Sequence, residues 1–368
     1  MDRKAWIVII LCVAALGLWQ WAYVQYYAPT PEQQAAARQA AAEAAQAAAT
    51  PAPAAAPAPA EPAPAEPAPE EPAVVVPRET RTITTGLADF IFTSDTGGIE
   101  QIVLSGHMGE NGANVALNIP EAPPVGALAE QPGQPLGGFT PAPAAADAAA
   151  FTRTMPDGVE IRKTYTVSQT ADGQGNYTVN LEIAFTNPGA IPVQRPDFFI
   201  STGGAAPIHS TDMTIYTGFD WYRDGKARFT DVNWFTASSI PLTGIQLRPA
   251  NEVYTERADN IGWAAVKNQY FVNIVAVSEG APGSAVWARR LERPHPGQET
   301  EQVLGIEGAL GLPGFRLEPG ATQTWNFQIY TGPKDLGRLS TLGHGEQEVM
   351  NFGIFKWVSE ILLYSMNA

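Results

Sequence analysis

The sequence has 368 residues, length enough for two average domains, but 32 prolines, 34 glycines and an alanine-heavy first quarter leave a smaller part able to bury a core. With 22 Lys+Arg against 37 Asp+Glu the formal net charge is −15, which repels a polyanion and argues against nucleic acid as a partner. One cysteine excludes an intramolecular disulfide, a Cys-rich zinc site and a CxxC redox centre, and His107, His209, His295 and His344 stand too far apart for HxH or HxxxH ligand spacing.

Residues 5–27, AWIVIILCVAALGLWQWAYVQYY, carry no charge. Roughly 22 helical residues at ~1.5 Å each span ~33 Å, the thickness of a bilayer core. The stretch reads as a transmembrane helix and not as a cleaved signal peptide, because Trp19, Trp21, Tyr23, Tyr26 and Tyr27 crowd the distal end where small residues would mark a cleavage site. Such rings suit the headgroup belt. Arg3 and Lys4 precede the span, so the positive-inside rule puts residues 1–4 in the cytoplasm and the remainder outside. Arg3, Lys4, Trp19, Trp21 and Tyr23 are the candidate anchoring residues, and Cys12 becomes a small apolar residue in lipid.

Residues 28–77 run through alanine-rich and then Pro-Ala-Glu sequence. Proline removes donors and alanine offers too little apolar area to offset chain ordering, so the segment is expected to be a disordered tether, extended in its proline-rich part.

From Arg78 the composition shifts to Thr, Val, Ile, Tyr and Phe with period two, which reads as β-sheet. In Tyr177-Thr-Val-Asn-Leu-Glu-Ile-Ala-Phe185 the odd positions are apolar, one face for the core and one for water. Residues 161–168 alternate more loosely, and Ala171-Asp-Gly-Gln-Gly175 can close the two runs into an antiparallel hairpin. Further strands are expected at 90–93, 99–104, 270–277 and 324–330, with a tight hairpin at Asp224-Gly225. A Pro/Gly/Ala-rich stretch over 110–150 is expected to be a wide, flexible loop. Residues 78–334 thus form one mainly β domain, a large antiparallel sandwich.

Residues 335–368 hold a linker and then Asn351-Phe-Gly-Ile-Phe-Lys-Trp-Val-Ser-Glu-Ile-Leu-Leu-Tyr-Ser-Met-Asn-Ala368. Lys356, Ser359, Glu360 and Asn367 make a narrow polar stripe in an otherwise apolar helical pattern, too short and too polar for a span and too apolar for an exposed helix. An interfacial helix is expected, with Phe355, Trp357, Ile361 and Leu362 entering the headgroup boundary; docking of the same face on the β domain is the alternative.

Two His–carboxylate neighbours, His209 with Asp212 and His107 with Glu110, are candidates for acid–base work, against which stands their loop setting. Phe219, Trp221, Tyr222, Phe229, Trp234 and Phe235 read either as a ligand groove or as core and cross-strand pairs.

The order of parts resembles the N-terminal region of the YidC family of bacterial membrane protein insertases. The likeness rests on Met1-Asp-Arg-Lys4 with the apolar span and tether, Lys163-Thr-Tyr-Thr-Val167, Gly175-Asn-Tyr-Thr-Val-Asn-Leu181, Gly262-Trp263 with Gln269-Tyr270-Phe271, Tyr330-Thr-Gly-Pro-Lys334, and Asn351-Phe-Gly-Ile-Phe-Lys-Trp357. The resemblance implies a bacterial inner-membrane protein with a periplasmic β-supersandwich, the fold of galactose mutarotase-like proteins. It implies nascent membrane proteins, inner-membrane lipids and the Sec translocon, SecF in particular, as partners, and no cofactor. It also implies a surface helix leading into five further transmembrane helices whose groove performs insertion. Those helices are not in the sequence, which reads as a fragment, a truncated form or one polypeptide of a broken gene. No catalytic, cofactor-binding or metal-binding residue is assigned, and no enzymatic activity is expected; a membrane-anchored carbohydrate-binding or aldose-epimerase-like protein is the alternative.

Retention of the apolar span predicts that mass spectrometry of membrane-extracted protein finds residues 5–27 still attached; a mature N-terminus beyond Tyr27 removes the anchor.

Overall fold

The computed structural model describes residues 78–168, 176–239 and 246–350. They belong to the second of two units into which the chain divides, Val74–Ala368. The expected transmembrane helix, the tether, the turn at 171–175 and the expected interfacial helix lie outside the described residues. Among the described residues no helix is long and apolar enough to cross a membrane.

Four strands form a first sheet in the order of the chain: β1 (Thr80–Thr84), β2 (Ala88–Thr93), β3 (Gly98–Met108) and β4 (Asn114–Leu117). There follow β5 (Leu128–Ala129), β6 (Thr140–Ala142), β7 (Ala148–Thr154), β8 (Glu160–Val167), β9 (Thr178–Thr186), β10 (Val193–Arg195) and β11 (Phe198–Ala205). Next come β12 (Gly218–Arg223), β13 (Lys226–Asp231), β14 (Ser238–Ser239), β15 (Gln246–Arg248), β16 (Val253–Lys267) and β17 (Phe271–Glu279). The last are β18 (Gly283–His295), β19 (Gln298–Leu312), β20 (Phe315–Leu317) and β21 (Thr322–Pro333), before the short helix α1 (Leu336–Ser340). A 13-stranded sheet has the order β5-β11-β19-β18-β16-β17-β21-β9-β8-β7-β6, with β12 branching from β16 and β13 pairing with β12. Its neighbours pair antiparallel.

Period-two patterning sets this register. On β9, Val179, Leu181, Ile183 and Phe185 are buried while Asn180 and Glu182 are exposed. On β8, Ile161, Lys163, Tyr165 and Val167 point inward. The two strands pair with Lys163 opposite Ile183 and Tyr165 opposite Leu181, the expected hairpin. A slip of one residue would turn all these side chains to water, at about 1.5–3 kcal/mol for each large apolar one. Asp224 and Gly225 take φ of 51° and 79° between Arg223 and Lys226, the two positive values that a two-residue hairpin turn requires. β17 lies between β16 and β21 and is buried from Phe271 to Ala276, hence its apolar run, interrupted only by the buried Asn273.

The stretch 110–150 departs from the expected open loop: it carries β4, β5, β6 and the start of β7, and buries Val125, Leu128 and Phe139. Its Pro/Gly-rich composition concealed a segment held from below by β8. The Lys163 Nζ donates to the carbonyls of Gly126 (2.7 Å) and Thr96 (3.3 Å), and the Tyr165 hydroxyl to Gly97 (2.8 Å) and Gly126 (3.2 Å). Gly126 is required there: its φ is 78°, and a Cβ would sit 2.6 Å from the Tyr165 hydroxyl oxygen. Thr96 and Gly97 turn β2 into β3, so the same two side chains fasten the small sheet to the large one.

The Tyr165→Phe variant removes buried hydrogen bonds and little volume. Denaturant unfolding is expected to show a loss of about 1–3 kcal/mol, whereas Thr166→Val on the exposed face of the same strand should stay within about 0.5 kcal/mol.

Candidate functional site

β11, β16 and β21 end, and β9, β12 and β17 begin, around one end of the large sheet. A cleft of about 870 Å³ opens there, walled by β4, by residues 204–208 and by the turn from β18 to β19 with Arg293 and His295. Two amides shape its walls. Asn118, at a φ of 65°, donates to the Glu100 carbonyl and accepts from the Gly204 N–H, each at 2.8 Å. Asn268 donates to the Ala206 carbonyl at 2.9 Å, and its Oδ1 accepts from the N–H groups of Tyr270 and Phe271. Val115, Leu117 and Phe271 supply buried apolar surface. β4 pairs with β3 and forms the edge of its sheet. An edge strand over an apolar floor is suited to an extended polypeptide.

The candidate acid–base pairs, against which the sequence already argued, are committed otherwise. Asp212 stands 3.6 Å from His209, but its Oδ2 accepts from the N–H groups of Ile208 (2.8 Å) and His209 (3.1 Å), closing a turn. Glu110 accepts from the Ser210 N–H and hydroxyl at 2.9 Å, and these bonds hold its carboxyl below the ordinary range. His107 packs edge-on against Phe271, 5.4 Å between ring centres, and is not brought to Glu110 by any hydrogen bond or ion pair among the described residues. No group of three His, Cys, Asp or Glu among those residues could hold a metal ion.

Phe219, Trp221 and Phe235 of the aromatic run are fully buried. Tyr222 stacks on Trp263 at 5.4 Å and Trp234 meets Tyr254 edge-on at 5.5 Å, so the run builds core and cross-strand pairs. The anchoring candidates Arg3, Lys4, Trp19, Trp21, Tyr23, Phe355, Trp357, Ile361 and Leu362 lie outside the described residues.

A buried cluster beside the cleft was not anticipated. Lys267, at the end of β16, donates to Asp220 Oδ2 (2.7 Å) and to the carbonyl of Val349 (2.6 Å), with the Phe229 ring 4.1 Å away. Its partner carboxylate is fully buried. Burial lowers the Lys267 pKa although Asp220 raises it. The Lys334 N–H donates to the Tyr270 carbonyl at 2.8 Å. Burial first, and the neighbouring Lys267 charge second, push the Lys334 ammonium down to about 7. Between these anchors the chain forms α1, capped by Asp335 at the Arg338 N–H, and buries Leu336, Leu339 and Val349 on the sheet. Gly345, at a φ of 82°, passes so close to Tyr222 that a Cβ would lie 2.6 Å from its ring. Residues up to 350 are therefore held in a fixed place on the sheet. The signal for Lys163 was parity, since it shares the inward face of Ile161 and Tyr165, and that for Lys267 was its place at the end of a buried run from Trp263.

The folded Lys334 pKa lies below the ordinary value, so between about pH 7 and 10 the unfolded chain binds more protons and stability rises with pH, by at most about 1.4 kcal/mol per unit. Lys334→Met is expected to flatten that rise in denaturant unfolding series taken between pH 7 and 9; an unchanged slope would mean that Lys334 is solvated.

The lysine-bearing strands fall inside residues 144–365, which match a family model described as the YidC periplasmic domain. The membrane protein insertase YidC of Nitrosospira multiformis is 26% identical over 207 residues, which are 56% of this chain and 31% of that protein. The protein of the same name from Pelobacter propionicus is 23% identical over 303 residues, 77% of this chain and 49% of that one. The chain spans a third to a half of the length of these relatives. Among solved structures, a galactose mutarotase related enzyme from Lactobacillus acidophilus superposes with a TM-score of 0.43 at 10% identity, covering 69% of this chain and 97% of that one. A likeness of that size assigns no activity. The family match takes in more than half of the sequence, including Lys163, Lys267 and Lys334, and on that ground the chain belongs to the YidC periplasmic-domain family.

Proposed function

We propose that the chain is the N-terminal and periplasmic portion of a membrane protein insertase, and that its β domain is a docking and spacing module without catalysis. In this reading residues 5–27 cross the bacterial inner membrane with residues 1–4 in the cytoplasm, residues 28–77 form the tether, and the β domain of 78–334 stands in the periplasm. Residues 335–368 lead away from it through an interfacial helix in which Phe355, Trp357, Ile361 and Leu362 enter lipid. Its partners are inner-membrane lipids, nascent membrane proteins and the Sec translocon, SecF included. The observation that carries the reading is the grip of Lys267 on the Val349 carbonyl, supported by the family match: a module that positions the chain beyond it must hold its own exit firmly. The cleft beside that exit, with its edge strand β4, offers a place for an extended client segment.

In a bacterium depleted of its own insertase, residues 1–368 alone are expected to restore neither growth nor the protease-protected topology of a substrate membrane protein. Rescue by this chain would overturn the assignment of a module role.

A further inference from the structure

Seven large apolar side chains among the described residues are strongly exposed: Met108 (57%), Ile191 (72%), Met213 (51%), Ile215 (47%), Tyr216 (44%), Val253 (40%) and Tyr270 (47%). Five of them, Met108, Met213, Ile215, Tyr216 and Tyr270, gather at the sheet end where the chain leaves the domain. The Met108 carbonyl is 3.1 Å from His209 Nε2, and the His209 ring meets Tyr270 edge-on at 6.1 Å. Gln269 then ties Tyr270 to Met213, donating to the Tyr270 hydroxyl and accepting from the Met213 N–H, both at 2.9 Å. Ile215 and Tyr216 belong to a 3-10 turn, Thr214–Tyr216, that buries none of its residues. That turn runs into Gly218, which pairs with Lys267, the residue that grips Val349.

The two remaining residues lie elsewhere. Val253 begins the strand that Lys267 ends. Ile191 follows the far end of β9: the ladder from Thr178 opposite Tyr330 to Thr186 opposite Thr322 is eight steps, or about 26 Å.

A cluster of Met, Ile and Tyr left bare is unusual on a surface that otherwise buries its apolar residues, and its composition points to an occupant. Two phenols on an apolar patch suit the depth where headgroups meet acyl chains. At Met350 the chain continues from this rim into a sequence bearing Phe352, Phe355, Trp357, Ile361 and Leu362. The net charge of −15 disfavours anionic lipid. We propose that this sheet end is itself a membrane-contact surface, in which Met213, Ile215, Tyr216 and Tyr270, with Met108 at the rim, insert shallowly into a zwitterionic lipid surface. The inference rests on the anchored reading above for placing a bilayer beside the domain. In consequence the domain lies with its strand ends, and its cleft mouth, toward lipid.

The test uses the full 368-residue chain with Cys12→Ser, reconstituted in phosphatidylcholine vesicles that carry a nitroxide on the headgroup. An environment-sensitive fluorophore is attached at Ile215→Cys, at Met213→Cys, or at Ile191→Cys as the control at the opposite end. Labels at 213 and 215 are expected to be quenched at least about twofold more than the label at 191, equally well at high salt. Equal quenching at the three positions overturns the proposal. So does a blue shift at 215 without nitroxide quenching, which would show the patch covered by residues 351–368, and so does quenching that needs anionic lipid. Flotation in the same samples separates the two readings: a chain that floats with an unquenched label at 215 overturns the contact surface and leaves the anchor standing. A chain that does not float overturns both.

Discussion

A lysine with no exposed surface, and with no ion pair among the described residues, sits at the junction of the 4-stranded and 13-stranded sheets. Burial pushes the Lys163 ammonium well below its ordinary pKa, and carbonyl oxygens, not an ion pair, receive its protons. Burying a charge without a counterion is costly, so such a residue persists where its donors are needed. Here they satisfy the carbonyls of Thr96 and Gly126, which belong to segments far apart in the chain, while Tyr165, two residues on, does the same for Gly97. The Phe139 ring closes over Lys163 at 5.1 Å, and Phe92 packs on Tyr165 at 5.2 Å. The polar pair thus lies within the apolar core that β1 to β4 share with β7 to β9. The joint lets a sequence poor in strand signals over 110–150 adopt a fixed course, and that course forms the cleft wall.

Lys267 obeys the same physical logic at the end of β16. Its ammonium is divided between Asp220 and the Val349 carbonyl. Lys163 joins the 4-stranded sheet to the 13-stranded one; Lys267 joins the large sheet to the segment ending at residue 350. Five of the seven exposed large apolar residues cluster around that point, Ile191 at the opposite strand ends and Val253 being the other two. A fixed exit, a cleft and a bare apolar rim sharing one end give the domain a polarity that a plain β-sandwich lacks.

Much of the fold was legible because burial imposes period two: β8, β9, β17 and β21 fall where the strand-like apolar patterns placed them. The Asp224-Gly225 turn was legible because only a few residue types accept two positive φ angles in succession. The order within the 13-stranded sheet was not, since β9 pairs with β21 and β11 with β19 across more than a hundred residues, which no local pattern encodes. The course of 110–150 was hidden because its donors, Lys163 and Tyr165, come later in the chain. Of the candidate acids and bases, His209 lies in a turn closed by Asp212 and His107 lies on β3 against Phe271, while the buried lysines are marked in the sequence only by their place within apolar strand patterns. Trp221 and Phe219 took the core side of the two readings open for the aromatic run.

Hydrogen–deuterium exchange of the amides of residues 341–350 shows whether the buried Lys267 ammonium fixes residue 350 in place on the sheet. The comparison is between the native chain and a Lys267→Met, Asp220→Asn double variant, which removes both charges of the buried ion pair together. The account predicts that the variant loses protection across 341–350 while β17 and β21 stay protected, the exit having been released from an intact sheet. Equal protection of 341–350 in both proteins, with the sheet intact, would contradict it, because the exit would then be held by something other than the Lys267 grip.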